Sequence, residues 1–382
     1  GRLSVGVKTP IIRAGDDLVR IVIDSCVATV GEIREGALIG VTEAVVAIAQ
    51  GNFATPEDIQ ADIARHYPNA RELTILFPIQ SRNRFMNIPR AISAMTQIEE
   101  MHVVLLYPCD EVGNRLVSDE VLLEAGVNPY SDSFTAKEFY ERFGKPQHPF
   151  TGKDYIEEFE NACAGKGNII LSNDPMATEH FSNNVLVCTI REGKRALHKK
   201  LNAKNGTATV WGLDDILSEP INGSGYSPYG LFGSNMMDGG ILKLMPRNCQ
   251  QFVCELQNEI MKEYGVHVEA IVYGDGAFKD PVGEIWELAD PVTTLGFTAG
   301  MSGTPKEVKL KYLASKYPNL SQEELQKVIA EEKRKRIESD DITGEASLGT
   351  TPRQKTDLAA SWMDLTTGSG DLQTPVVYTY GF

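Results

Sequence analysis

The chain has 382 residues, 42% of them hydrophobic and 23% charged, which is enough apolar material for a sizeable core and excludes wholesale disorder. A formal net charge of −15 repels phosphate backbones and anionic bilayers, so nucleic acid and membranes are not expected partners. A free nucleotide stays compatible, because a metal ion neutralises its phosphates locally. The six cysteines (Cys26, Cys109, Cys163, Cys188, Cys249 and Cys254) contain no CxxC pair. Reduced, mostly buried thiols in a cytoplasmic protein are the expectation. No apolar run approaches the roughly 18 residues of a membrane helix, and no signal peptide is in view.

Residues 1–55 read as an α/β unit. Val5–Val7 is strand-like, and Pro10 holds Thr9 extended. Asp16 and Asp17 precede a helix that starts near Leu18, where acids suit the positive helix end. A strand over Ala37–Val41 runs into Thr42-Glu43-Ala44-Val45, a strand-to-helix joint with a hydroxyl and free N–H groups at one point. That geometry suits an anion, and it also describes ordinary joints. Pro56–His66 should be helical, and Leu73–Phe77 a buried strand. Arg82 and Arg84 follow that strand; they suit bidentate capture of a carboxylate or phosphate, or are plain surface arginines. Ile88–Met95 should be helical and His102–Tyr107 a strand.

Residues 108–185 are richer in Asn, Asp, Pro, Gly and aromatics. Helical patches are expected at Ala136–Phe143 and Asp154–Ala164, and strands at Ile169–Leu171 and Val185–Cys188. The composition suggests a subdomain or lid. The basic run Arg191, Lys194, Arg195, His198, Lys199, Lys200 and Lys204 reads as a solvated helix face. Residues 223–240 carry no hydrophobic period and read as a glycine-rich loop. A strand over Ile241–Met245 and an amphipathic helix over Arg247–Tyr264, stopped by Gly265, come next.

The stretch 268–300 opens with the apolar run Val268–Val272 and breaks at Tyr273-Gly274-Asp275-Gly276. Glycines on both sides leave the Asp275 carboxylate uncovered, and hard oxygen ligands of this kind suit Mg²⁺ or Mn²⁺. The same residues also describe a hairpin turn followed by solvated acids. Beyond it, 305–340 should be a charged, exposed helix held by opposite charges at i,i+3 and i,i+4. The end of the chain reads helix, glycine turn (Gly368-Ser369-Gly370-Asp371), then strand Val376–Tyr380. Neither GxxxxGK[ST], GxGxxG after a strand, HExxH nor GxSxG occurs, and the six scattered histidines suggest no zinc site.

Four segments in order resemble the coenzyme F420-0:L-glutamate ligase (F420-0 gamma-glutamyl ligase) family. They are VGVKTPIIRAGDDLVRIV, LIGVTEAVVAIAQGN, the pair SPYGLFGSNMMDGGILKLMPRN and AIVYGDGAFKD, and DLAASWMDLTTGSGDLQTPVVYTYG. The resemblance covers about half the chain and reaches both ends; the remainder, mainly 56–220 and 301–356, would be insertions of a long, divergent member. It implies an α+β (mixed α/β), two-part ligase fold with long insertions. The parts would be 1–107, an insertion or subdomain over 108–220, and 221–382 with a charged helical insertion at 301–356.

The activity implied is a GTP- or ATP-dependent, Mg²⁺- or Mn²⁺-requiring amide ligase that adds glutamate, or another amine, to a small-molecule carboxylate acceptor, acting as a homodimer. Carried over by position, Thr9, Pro10, Ile11, Ile12, Thr42, Glu43, Asn235, Gly368, Ser369, Gly370 and Asp371 line the nucleotide. Asp275 holds metal, with Asp238 and Asp371 as the nearest further acids, and Arg82 and Arg84 meet substrate. The sequence departs from the family in three places. Ala44 and Ile48 stand where the family has lysines, Phe232 or Gly233 where it has Asp before Ser-Asn, and Ser369 where it has Gln or Glu. A non-catalytic nucleotide- or metabolite-binding relative, and a gamma-glutamyl ligase for another acceptor such as a folate, are the alternatives.

Overall fold

A computed structural model describes residues 1–80, 85–149, 151–203, 208–274, 278–279, 286–287, 294–305, 308–338, 354–368 and 372–381. In chain order the N-terminal elements are β1 (Leu3–Val7), α1 (Leu18–Val30), β2 (Leu38–Thr42), α2 (Glu43–Ala49), β3 (Phe53–Ala54) and α3 (Pro56–His66). The middle of the chain contributes β4 (Glu72–Leu76), α4 (Asn87–Ala94), β5 (Glu100–Leu105), α5 (Asp119–Glu124), β6 (Phe134–Thr135), α6 (Ala136–Phe143), α7 (Tyr155–Ala162), β7 (Gly167–Leu171), β8 (Asn184–Val187), α8 (Glu192–Asn202) and β9 (Thr209–Gly212). Then come β10 (Asn235–Met236), β11 (Leu242–Lys243), α9 (Cys249–Tyr264), β12 (Glu269–Tyr273), β13 (Phe278–Lys279), β14 (Trp286–Glu287) and β15 (Thr294–Phe297). The last are α10 (Leu310–Lys316), α11 (Gln322–Glu338), α12 (Lys355–Thr366) and β16 (Val376–Tyr380). Helices beside mixed sheets make an α+β fold, as expected.

The first sheet has five strands in the order β1-β16-β2-β12-β15. β2 and β12 are parallel, and the other pairings are antiparallel. Its strands are apolar on both faces because both are covered. Ile39, Val41, Ala270, Val272, Val376 and Tyr378 face α1 and α9 through Val22, Cys26, Val253, Leu256 and Ile260. Leu38, Ile271, Tyr273 and Val377 face α12 through Ala359, Ala360 and Met363. α1 starts where Asp17 accepts from the Arg20 N–H (3.0 Å), satisfying a first-turn donor. α9 ends at Gly265 in the left-handed region, with φ of 69°.

The second sheet has six strands in the order β6-β7-β5-β4-β8-β9. All neighbours are parallel except the edge strand β6. Numbered by their appearance in the chain, the five parallel strands lie 3-2-1-4-5, a doubly wound arrangement. The boundary expected at residue 107 thus falls inside this sheet, between β5 and β6. The physical reason is in the strands themselves. Leu73–Leu76 and Met101–Leu105 are continuous apolar runs, which need parallel neighbours and cover on both sides, and Ile169–Leu171 and Val185–Val187 are of the same kind. α3, α4 and α7 pack on the face of Leu73, Ile75, Val103 and Leu105. The opposite face, with Leu76, Val104, Val185 and Val187, is covered by Ala177 and Phe181, while His198 of α8 meets Phe77 edge-on at 5.4 Å.

A small sheet, β10-β11-β3, joins these regions. Its anchor is the buried Asn52, whose Nδ2 donates to the Met245 carbonyl (2.8 Å) and whose Oδ1 accepts from the Tyr226 N–H (3.0 Å). The glycine-rich 223–240 region is therefore packed, and its last part forms β10. The charged 305–340 segment is two helices rather than one, α10 and α11, because Pro318 and its neighbours break it. All six thiols are free, four of them buried. No helix among the described residues is long and apolar enough to cross a membrane.

Candidate functional site

The strand order of the five-stranded sheet brings distant parts of the chain to one edge. Val7 of β1 lies opposite Val376, Val376 opposite Val41, and Thr42 opposite Tyr273. The segments that follow β1, β2 and β12 therefore leave the sheet where the segment preceding β16 enters it. Hydrogen bonds tie them: the Thr9 N–H donates to the Gln373 carbonyl (3.1 Å) and the Thr42 N–H to the Pro375 carbonyl (3.0 Å). Gly368 is held across the same turn, its N–H donating to Thr374 Oγ1 at 2.8 Å. Beyond Thr9, which is buried, the loop carries the exposed Pro10 and Ile11 and the half-buried Ile12. It then closes on the far end of α2 through Gly15 N–H to the Ala49 carbonyl (2.9 Å).

Thr42 and Glu43 occupy the strand-to-helix joint at this edge. The Thr42 hydroxyl is shielded from solvent and has no hydrogen-bond partner among the described residues. An unpartnered buried hydroxyl is destabilising on its own, so it marks a place where a ligand acceptor is favoured. Glu43 meets Lys243, whose Nζ donates to both carboxylate oxygens at 2.9 and 2.7 Å. Lys243 is only 4% exposed. A lysine this deep needs a paired charge, and Glu43 supplies it. Asn235 stands directly across β10–β11 from Lys243.

Sequence reasoning missed Lys243. The signal was present in Ile241-Leu242-Lys243-Leu244-Met245, where a lysine interrupts a strand whose flanking leucines are fully buried. The lysines expected after Thr42 are absent, and Ala44 and Ile48 stand there; the structure delivers a lysine to Glu43 from another strand instead. The 16-residue α9 begins at the same edge. Gly296, the partner of Val272, packs so closely on its first turn that an added Cβ would meet the Cys249 carbonyl oxygen at 2.6 Å. The first turn of α9 has no side-chain cap and no acidic residue, so its positive end adds to a potential that favours anions. Burial, with Glu43 adding to it, pushes the Cys249 thiol up to about 12. Cys249 therefore stays protonated at neutral pH and is no nucleophile.

Asp238 lies at the tip of the β10–β11 hairpin, exposed, with its carboxylate accepting from the N–H of its neighbour Gly239 (3.0 Å). The hairpin base, at Asn235 and Lys243, is what reaches Glu43. Asp275, Ser369, Gly370, Asp371, Arg82 and Arg84 lie outside the described residues. Gly274, which follows β12 at the assembled edge, and Gln80, which precedes the arginines, lie within them. Among the described residues no three His, Cys, Asp or Glu side chains are grouped to hold a metal ion. The Asp expected before Ser-Asn falls on Phe232 or Gly233, of which Gly233 is half-buried. Phe232 is buried, with the Arg195 guanidinium 4.1 Å from its ring centre. Arg195 itself is buried, donating to the carbonyls of Thr189 and Ile190 and pairing with Asp214 at 3.1 Å, so it is not part of a solvated basic face.

Fold and site together define an α+β protein in which loops from both ends of the chain, a strand-to-helix joint and a buried Lys–Glu pair meet at one edge of a mixed sheet. The chain belongs to the family described as F420-0:Gamma-glutamyl ligase, whose model matches residues 6–381. The class of chemistry is thus that of ligases that form C–N bonds. No curated protein matches the chain.

Proposed function

We propose that this protein is a nucleotide-dependent, divalent-metal-requiring ligase that joins the amine of glutamate to a carboxylate on a small-molecule acceptor, with its reaction centre at the assembled edge of the five-stranded sheet. One observation carries the proposal. Thr9, Thr42, Glu43, Asn235, Gly274 and Gly368, widely spaced in the chain, belong to segments that meet at that edge. A carboxylate does not react with an amine until one of its oxygens becomes a leaving group. In the simplest route the acceptor carboxylate oxygen bonds to the terminal phosphorus of GTP or ATP, and the bond from that phosphorus to the bridging oxygen breaks. The amine then attacks the acyl carbon, inorganic phosphate leaves, and the amine proton passes to solvent. The enzyme supplies no nucleophile, in keeping with a Cys249 thiol held protonated.

In this reading Thr42 donates its unpartnered hydroxyl to a phosphate oxygen. Lys243, oriented by Glu43, sets positive charge beneath the phosphates without being free to swing away. The backbone around Thr9 and Gln373 forms the wall against the nucleoside, and Asn235 faces the substrate side. Bound Mg²⁺ or Mn²⁺, for which Asp275, two residues past Tyr273 in the sequence, is the proposed ligand and Asp238 and Asp371 the further acids, would neutralise charge between the phosphates. Arg82 and Arg84 are proposed to meet a substrate carboxylate. We also propose a homodimer, which light scattering at several concentrations tests directly.

The deciding experiment is turnover by the purified chain with Mg²⁺ or Mn²⁺, GTP or ATP, glutamate and a panel of acceptors, following phosphate release and the amide product together. Stoichiometric release of phosphate with the acceptor–glutamate amide is expected. Neither nucleotide binding nor phosphate release with any acceptor would leave a non-catalytic relative. Turnover stimulated by another carboxylate, such as a folate, but not by the deazaflavin acceptor would make it a ligase for that acceptor.

A further inference from the structure

We infer that the six-stranded sheet carries a ligand site of its own, at the carboxyl ends of β4 and β8, for a molecule presenting a planar edge with a hydrogen-bond donor beside an acceptor: a nucleobase or a free carboxamide. In the 3-2-1-4-5 order, β4 and β8 are the neighbours between which the winding reverses. The chain leaving β4 goes to α4, whose Ile88, Ala91 and Ile92 pack with Leu73 and Ile75. The chain leaving β8 goes to α8, whose His198 packs on Phe77 on the opposite face. The two connections thus pass to opposite faces, and in doubly wound sheets ligands bind outside the strand ends at such a reversal.

The residues at that place are built for polar contact. Thr189, fully buried just after β8, is bonded to His198 Nδ1 at 2.8 Å. Phe77, just after β4, adopts a φ of 54°, unusual for a bulky residue, and its N–H donates to the Val104 carbonyl at 2.9 Å. Three residues on stands Gln80. It is 4% exposed, yet among the described residues neither its side-chain oxygen nor its side-chain nitrogen has a hydrogen-bond partner. A buried carboxamide without a single bond destabilises the unliganded fold. One of its two N–H donors and its carbonyl oxygen lie in a plane, side by side, and are matched by a ligand edge of the same kind, as when glutamine reads a base in bidentate fashion. Asn87, at the start of α4, adds a second buried side-chain NH₂ that has no partner among the described residues.

This inference does not depend on the ligase reading, and its test is arranged to keep them apart. Calorimetric titration of the intact chain uses probes that lack phosphates: adenosine, guanosine, uridine and cytidine for the nucleobase source, and nicotinamide for the carboxamide source. At least one probe should bind. Gln80→Met, which keeps the shape and removes both polar atoms, should weaken that probe about tenfold or more. Because it also removes the orphaned groups, its unfolding midpoint without ligand should equal or exceed that of the wild type. Thr42→Val, at the edge of the other sheet, should bind the probe as the wild type does. Four results overturn the inference: no probe bound by the wild type, equal binding by Gln80→Met, a lowered midpoint in Gln80→Met, or loss of binding in Thr42→Val.

Discussion

The five-stranded and six-stranded sheets collect their loops in opposite ways. In the six-stranded sheet five parallel strands send their connections out at the same end. The connections gathered there come from one continuous part of the chain, between residues 77 and 213 or so. In the five-stranded sheet the pairings are mainly antiparallel, and β1 and β16 come from opposite ends of the chain. Its assembled edge therefore joins residues near 9, 42, 274 and 375. A site on the first kind of sheet can be built locally; a site on the second exists only when the whole chain has closed. Breaking the contacts that close this edge should thus cost stability and function together, whereas changes at the carboxyl ends of β4 and β8 should separate them.

The strongest test of that difference is Lys243→Met. It leaves the Glu43 carboxylate in a site where the lysine was 4% exposed, and loss of one partner of a buried pair costs about 3–5 kcal/mol. Urea unfolding measures the loss, and Glu43→Gln added to Lys243→Met should recover most of it. If Lys243→Met unfolds like the wild type, the pair does not hold the edge together. Next is Gly296→Ala, where the new Cβ meets the backbone of Cys249 and Gln250 at 2.5–2.8 Å. Backbone cannot swing aside as a side chain does, so a loss of about 1–3 kcal/mol is expected, again by urea unfolding. An unchanged midpoint would mean that α9 is not held tightly on β15.

Alkaline pH should also weaken the fold. Burial raises Cys26, Cys163 and Cys249 from 9.0 to about 12 in the folded chain. Between those values the unfolded chain has lost thiol protons that the folded chain keeps, so stability falls as pH rises from about 9 toward 12. Each fully ionising thiol contributes about 1.4 kcal/mol per pH unit. Cys26→Ala, measured against wild type by thermal unfolding across that range, should show a shallower decline; parallel declines would rule out the buried thiol as a cause. The smallest expected change in stability is that of Thr42→Val, within about 1 kcal/mol, because the hydroxyl removed has no partner. Its turnover should nonetheless fall, by about tenfold or more if one charge-assisted hydrogen bond to phosphate is lost. Equal loss of stability and activity would assign Thr42 a packing role only.

Much of the secondary structure was legible because local chemistry dictates it. The helix over Pro56–His66 begins with a Thr55/Asp58 capping box, and Ala136–Phe143 with a Thr135/Glu138 box, and both form with the ends expected. The family was legible from four ordered segments, and these are the segments that build the assembled edge. What escaped notice was pairing. Apolar runs such as Leu73–Leu76 and Met101–Leu105 say that a strand is buried without saying which sheet buries it. β4 and β5 were therefore expected to belong with the N-terminal part, 1–107, and only the rest of the doubly wound sheet with the subdomain or lid that starts at residue 108. β9 was missed because Thr209-Val210-Trp211-Gly212 is short and half exposed. Lys243 escaped because its partner lies 200 residues away.

The most direct test of the two-sheet division of labour is a crystal structure of the protein soaked with Mn²⁺ and a non-hydrolysable nucleotide, with the metal located by its anomalous signal. The expected result is Mn²⁺ in direct contact with Asp275, and phosphate oxygens within hydrogen-bond distance of Thr42 Oγ1, at the edge where β1, β2, β12 and β16 meet. Metal and phosphates bound over the six-stranded sheet, with Asp275 and Thr42 untouched, would contradict it.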